Sequence, residues 1–212
     1  MTVVTSHVQK AILNAPIRPE PWPHLFVENI FPPDFYEELL SYFPYREQLA
    51  PLSRKTTNRF VYWLERDGVL TPGVHPWWAS FRAQLFMPLW LTLESKFKVR
   101  GRYTGSELLY DISGYGLGPH TDTPDKLITG LFYLPEVHAD SGAKGTVLYK
   151  GEAPDPLGKL RATGLPPYLP REHSVIPYWP NSALFFVRTD MSYHGVHRTA
   201  VPRRLLAFDV FR

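Results

Sequence analysis

From Lys98 to Arg212 the chain is a succession of short β-branched and aromatic segments separated by turn residues. The segments fall at 98–104, 106–113, 118–122, 127–134, 145–150, 173–179, 183–188, 194–198 and 203–211. No helical pattern separates them. Strands at this spacing argue for an antiparallel sandwich or barrel rather than a parallel α/β sheet. A double-sheet jelly roll with eight core strands, a double-stranded β-helix, accommodates them. Twenty-two prolines against fourteen glycines also favour short elements over a helical bundle.

The first half reads differently. Residues 1–20 form an N-terminal arm or short helix. Leu25 to Ile30 reads as a strand. Pro32 and Pro33 then suit a helix start, Asp34, Glu37 and Glu38 favour its positive end, and Pro44 stops it. Residues 45–58 are polar and read as a loop, and 59–65 read as a strand. Residues 75–97 are helical in composition, with Pro88 predicting a kink or two abutting helices. At 212 residues the expectation is a single domain, mainly β with flanking helices: a strand- and helix-rich part over 21–97 and a jelly-roll core over 98–212. The Pro- and Gly-rich stretch within 151–180 is too long for a plain hairpin and reads as a lid-like loop.

Composition removes several chemistries. The chain has no cysteine, so thiolate metal sites, disulfides and thiol nucleophiles are excluded. No apolar run approaches the roughly 20 residues of a membrane span, and the N-terminal segment lacks signal-peptide character. The expectation is a cytoplasmic protein with no membrane partner. The net charge of +3 fits an anionic small ligand, but the basic residues are scattered and form no nucleic-acid groove.

Chemistry concentrates at Pro119-His120-Thr121-Asp122. In an extended strand, residues i and i+2 share a face, so the His120 imidazole and the Asp122 carboxylate can converge. A second histidine, His194, precedes the strand that carries Arg203 and Arg204. Two histidines and one carboxylate make the facial set that holds non-haem Fe(II) and leaves coordination positions open. Arg204 shares its strand face with Leu206, Phe208 and Val210. A guanidinium pointing into an apolar interior needs an anion, and a carboxylate fits it bidentately.

These motifs resemble the Fe(II)- and 2-oxoglutarate-dependent dioxygenases, in the branch similar to prolyl 4-hydroxylases. The matching pieces are YDISGYGLGPHTD, KLITGLFYLPE, GTVLY and WPNSALFFVRTDMSYHGVHRTAVPRRLLAFDVF. The resemblance implies that His120, Asp122 and His194 bind the metal. It implies that Arg204 binds the distal carboxylate of 2-oxoglutarate, with Arg203 remaining open within the ±1 register of the preceding loop. It further implies that Tyr110 and Tyr133 point into the cosubstrate pocket. With Asp122 present, hydroxylation is the implied reaction rather than halogenation. The implied cofactors are Fe(II), 2-oxoglutarate and O₂, and the implied products include succinate and CO₂. For the primary substrate the expectation is a small metabolite or amino-acid-like molecule, contacted by Arg188, Tyr178 and Trp179. The alternatives are a cupin-type metalloenzyme that does not use 2-oxoglutarate and a prolyl-type peptidyl hydroxylase.

Overall fold

A computed structural model describes residues 2–53, 56–135, 144–154 and 168–212. Three α-helices precede most of the strands: α1 (Thr2–Asn14), α2 (Pro33–Ser41) and α3 (Pro76–Phe97). The arm expected over 1–20 is thus largely helix. Val4, Val8 and Ile12 recur at helical spacing and are buried, and α1 packs along α3. Pro33 occupies the first turn of α2 with Asp34 beside it. His75 caps α3 by accepting a hydrogen bond from the Trp77 amide at 3.2 Å.

Helix α3 runs through Pro88 as one helix rather than two. A proline at this position removes the hydrogen bond to the carbonyl four residues back. That carbonyl, on Gln84, instead accepts from the Thr5 hydroxyl of α1 at 3.3 Å. A tertiary contact therefore compensates the break that the local sequence predicts.

The strands are β1 (His24–Glu28), β2 (Ala50–Ser53), β3 (Thr56–Arg66), β4 (Val69–Leu70), β5 (Tyr103–Asp111), β6 (Leu117–His120), β7 (Lys126–Tyr133), β8 (Lys144–Pro154), β9 (Tyr168–Pro177), β10 (Ser182–Val187), β11 (His194–Val196) and β12 (Arg203–Phe211). The segments read at 98–104 and 106–113 give one strand, β5, over Tyr103–Asp111, and residues 98–102 and 112–113 are not strand. Part of the polar stretch 45–58 pairs as β2 with β3. The stretch 151–180 divides: its two ends extend the β8–β9 ladder as far as Pro154 opposite Tyr168, and 155–167 lie outside the described residues. The described ends are therefore strand rather than loop, because the ladder extends beyond the apolar runs that mark it in sequence.

Among the described residues all strand pairings are antiparallel. One sheet runs β1-β10-β7-β12-β5-β3-β2, with β4 on β3, and the smaller sheet runs β6-β11-β8-β9. The larger sheet is buried on both faces. On one face Leu206, Phe208 and Val210 of β12 join α1, α2 and α3 in a core rich in phenylalanine, with Phe86 and Phe208 at 5.0 Å. On the other face Leu205 and Ala207 join Tyr133, Leu148, Ile176 and Tyr178 inside the barrel. Among the described residues no helix is long and apolar enough to cross a membrane.

Candidate metal centre

The barrel face carries the polar residues. His194 on β11 pairs directly with His120 on β6, and their rings lie 4.4 Å apart. Gly195 allows this approach, because a Cβ there would stand 2.6 Å from the Leu117 carbonyl oxygen. One ligand atom from each of His120, Asp122 and His194 lies within 4.8 Å of the others. The Nε2 of His194 is 3.8 Å from Asp122 Oδ1.

The surrounding hydrogen bonds orient these groups as metal ligands. The Nδ1 of His120 lies 3.0 Å from the Gly118 carbonyl, and that of His194 lies 3.0 Å from the Ser192 carbonyl. A carbonyl only accepts, so each Nδ1 carries the proton and each Nε2 keeps its lone pair. The Thr129 hydroxyl donates to Asp122 Oδ2 at 2.7 Å. Burial holds the His194 pKa down at about 4, so its imidazole is neutral near pH 7. Burial pushes the Asp122 carboxyl up, but His194, Lys126, Thr129 and His120 outweigh it and leave it below its ordinary value. Two imidazoles and a carboxylate are a donor set that suits a divalent iron.

The cavity behind the triad has a volume of about 100 Å³ and is lined by Arg203, Thr146, Leu205, Leu131, Glu107 and Asp209 among others. Two arginines line it, Arg59 and Arg203, and Arg204 does not. Arg203 is 1% exposed, and its Nε and Nη1 have no hydrogen-bond partner among the described residues. Its nearest carboxylate, Asp111, is 3.9 Å away and is already held bidentately by Arg59 at 2.5 and 2.9 Å. Arg204 lies on the helix-packed face with its guanidinium 5.5 Å from the centre of the Phe43 ring. The apolar face that it shares with Leu206, Phe208 and Val210 is real, but that face is not the barrel interior.

The same alternation decides the tyrosines. Tyr110 packs against the helix-side core, while its neighbours Leu109 and Asp111 face the barrel. Tyr110 is therefore not brought to the cavity. Tyr133 is fully buried on the barrel face. Its hydroxyl donates to Thr146 Oγ1 at 2.8 Å and accepts from the Thr146 amide at 3.2 Å. Since Thr146 Oγ1 accepts from Tyr133, its own proton is left to point elsewhere in the cavity.

Of the expected substrate contacts, Tyr178 is buried beneath Arg203, whose guanidinium lies 5.2 Å from the ring centre. Its hydroxyl clamps β12 by donating to the Arg204 carbonyl and accepting from the Arg204 amide, at 2.9 and 2.7 Å. Trp179 is half exposed against Phe26, away from the triad. Arg188 donates from Nε to the Asp122 carbonyl at 3.1 Å and from Nη1 to Asp190 at 2.6 Å. Nε and Nη1 are thus engaged in fixing the main chain at Asp122 and in an ion pair with Asp190.

Sequence reasoning missed Thr129, Thr146, Lys126, Glu107 and Asp209. One signal was present: an aspartate within LLAFDVF, a run that is otherwise apolar on both faces. Lys126 Nζ lies 2.6 Å from Asp209 Oδ2 and 3.9 Å from Asp122 Oδ1. Burial and then the neighbouring Asp209 charge push the Glu107 carboxyl up to about 7.

No protein-family profile and no curated protein sequence matches the chain. Solved structures do. A prolyl-4-hydroxylase from Pseudomonas putida superposes with a TM-score of 0.65 at 13% identity, over 97% of this chain and 98% of that one. A prolyl hydroxylase from Trichoplax adhaerens, in complex with a hypoxia-inducible-factor peptide, gives 0.59 at 12% identity over 98% and 88%. HygX from Streptomyces hygroscopicus, with nickel and 2-oxoglutarate bound, gives 0.57 at 15% identity over 89% and 82%. The chain therefore has the jelly-roll fold of prolyl 4-hydroxylases and other 2-oxoglutarate–Fe(II) oxygenases.

Proposed function

We propose that this chain is an Fe(II)- and 2-oxoglutarate-dependent dioxygenase that hydroxylates an unactivated C–H bond of a small metabolite or amino-acid-like substrate. One observation carries the reading. A His-Asp-His set with both Nε2 lone pairs turned inward opens onto the same cavity as a buried arginine with two uncommitted donor nitrogens.

When bound, iron, 2-oxoglutarate and O₂ supply the oxidising chemistry, yielding succinate, CO₂ and one hydroxyl on the substrate. The chain's own residues position and protect. His120, Asp122 and His194 would hold the metal through two imidazole nitrogens and a carboxylate oxygen. Gly118, Ser192 and Thr129 fix the orientation of the three ligand groups. Arg203 takes the distal carboxylate of the cosubstrate, whose charge offsets the burial of the guanidinium. Thr146, with its acceptor side held by Tyr133, donates into the same cavity. Leu205, Leu131 and the Tyr133 ring exclude water around it. Similarity to HygX, whose structure includes 2-oxoglutarate, supports the cosubstrate assignment.

The test is anaerobic addition of Fe(II) and then 2-oxoglutarate, followed by the weak visible charge-transfer band of the chelate. The band is expected in the wild type, absent in His120→Ala and weakened in Arg203→Ala. Iron binding without a band in the wild type would turn the assignment to a cupin-type metalloenzyme that does not use 2-oxoglutarate.

A further inference from the structure

The acidic wall of the cavity lies outside the His-Asp-His set. Glu107 on β5 faces Ala207 on β12, and Asp209 is the next barrel-facing residue along β12, so the two carboxylates are diagonal neighbours. Both line the cavity of the triad. Arg203 stands at the other end of the same strand face. Asp209 pairs across the ladder with Thr129, the residue that holds Asp122. The acidic pair therefore lies at the metal end of the barrel, and the cosubstrate arginine at the far end.

The charges around this pair do not close. Glu107 is attracted by Lys126, Arg59 and Arg66, and each of these cations is engaged elsewhere. Lys126 sits on Asp209, Arg59 forks onto Asp111, and Arg66 lies over the Trp63 ring at 4.0 Å. With Asp122 assigned to the metal and Arg203 to a carboxylate, Glu107 is the carboxyl left without a cation of its own. A second observation points the same way. Asp209 is 3% exposed, and its Oδ1 is buried with no hydrogen-bond partner among the described residues, while Lys126 occupies only Oδ2. A buried acceptor facing a cavity beside an uncompensated carboxylate calls for a cationic donor.

We infer that Glu107 and the Oδ1 edge of Asp209 bind a protonated amine of the primary substrate. This rests on the reading of the triad as the metal centre, and it names the substrate class. An alkylammonium group carries three donors and one positive charge, which two carboxylates can share. Held there, it would place the adjoining carbons in the same cavity as the His-Asp-His set. The positive net charge of the chain suggests the opposite preference, for an anion, but the residues of the cavity wall outweigh a charge spread over the surface.

The test is calorimetric titration of n-butylamine, n-butanol and butyrate at neutral pH. It uses the full chain both metal-free, where an amine cannot ligate iron, and loaded anaerobically with Fe(II) and 2-oxoglutarate. The amine should bind at least about tenfold more tightly than the alcohol, as expected for a charge-assisted hydrogen bond. Glu107→Gln and Asp209→Asn should each remove most of that preference. Glu107→Gln is near-isosteric and leaves the Lys126–Asp209 pair intact, so it reports even if Asp209→Asn folds poorly. Equal affinity for amine and alcohol, tighter binding of butyrate, or a preference that survives in Glu107→Gln would overturn the inference. The charge-transfer band separates the two readings. A band without amine preference removes only the amine site, and amine preference without a band removes only the cosubstrate assignment.

Discussion

The two faces of the larger sheet are both buried, yet they do different work. On the helix-packed face, Leu206, Phe208 and Val210 meet Phe81, Phe86 and Phe132. On the barrel face of the same strand, Arg203 and Asp209 bracket Leu205 and Ala207. The first face gains its stability by removing apolar area from water. The second holds buried guanidinium, ammonium and carboxylate groups that must be compensated one by one. The difference teaches that, in this fold, the helices stabilise one side of the sheet so that the other can carry charge.

Breaking that comparison is straightforward. The largest effect is expected from Phe208→Ala, which should cost about 3–5 kcal/mol by denaturant unfolding, as for other large-to-small core changes. The folded fraction should keep its metal affinity. If metal affinity falls as far as stability does, the two faces are not separable.

The barrel face should answer to pH instead. His194 has its pKa depressed from 6.5 to about 4. The unfolded chain then binds more protons between those values, so this contribution is complete above pH 6.5 and is lost as pH falls towards 4. It amounts to roughly 3 kcal/mol at 1.36 kcal/mol per unit. Glu107 is raised from 4.5 to about 7. Its sign is opposite: the native state holds the extra proton, and stability falls as pH rises from 4.5 to 7. The metal-free wild type should therefore show a shallow dependence over this range. Glu107→Gln should remove the opposing contribution and lose stability more steeply on acidification, as read from urea midpoints at pH 7, 5.5 and 4.5. An unchanged slope would mean that the two groups do not oppose each other.

A sharper contrast comes from adjacent residues. Arg203→Ala should weaken 2-oxoglutarate binding by about 2 kcal/mol or more, the scale for removing one partner of a buried charge pair. Arg204→Ala, on the opposite face, should change it less than about threefold, near the additivity error for separate sites. Equal effects would overturn the assignment of faces. A change in metal rather than cosubstrate affinity should follow Thr129→Val, which removes the hydroxyl on Asp122 while keeping its shape. Loss of a hydrogen bond to a metal ligand lowers metal affinity by about 10- to 100-fold, and competition with a chelator would measure it.

Several of these features were legible before the fold was known. The strand-rich C-terminal half, the helix at 75–97 and the residues His120, Asp122 and His194 followed from periodicity and motif spacing. The continuity of α3 through Pro88 was not legible, because the donor that serves the Gln84 carbonyl comes from Thr5 on another helix. Nor was the engagement of Arg188, whose partners are the Asp122 carbonyl and Asp190.

What the sequence by itself determined is the alternation: in β12, Arg203 and Arg204 must point to opposite faces, as must Leu109 and Tyr110 in β5. Only the tertiary structure decided which face is the barrel. In a sheet covered on one side alone, the apolar set marks the interior. Here helices cover one side and a second sheet covers the other, so both sets are apolar and the pattern carries no sign. The packing of α1 and α3 against Leu206, Phe208 and Val210 supplies that sign and turns Arg203 toward the metal centre.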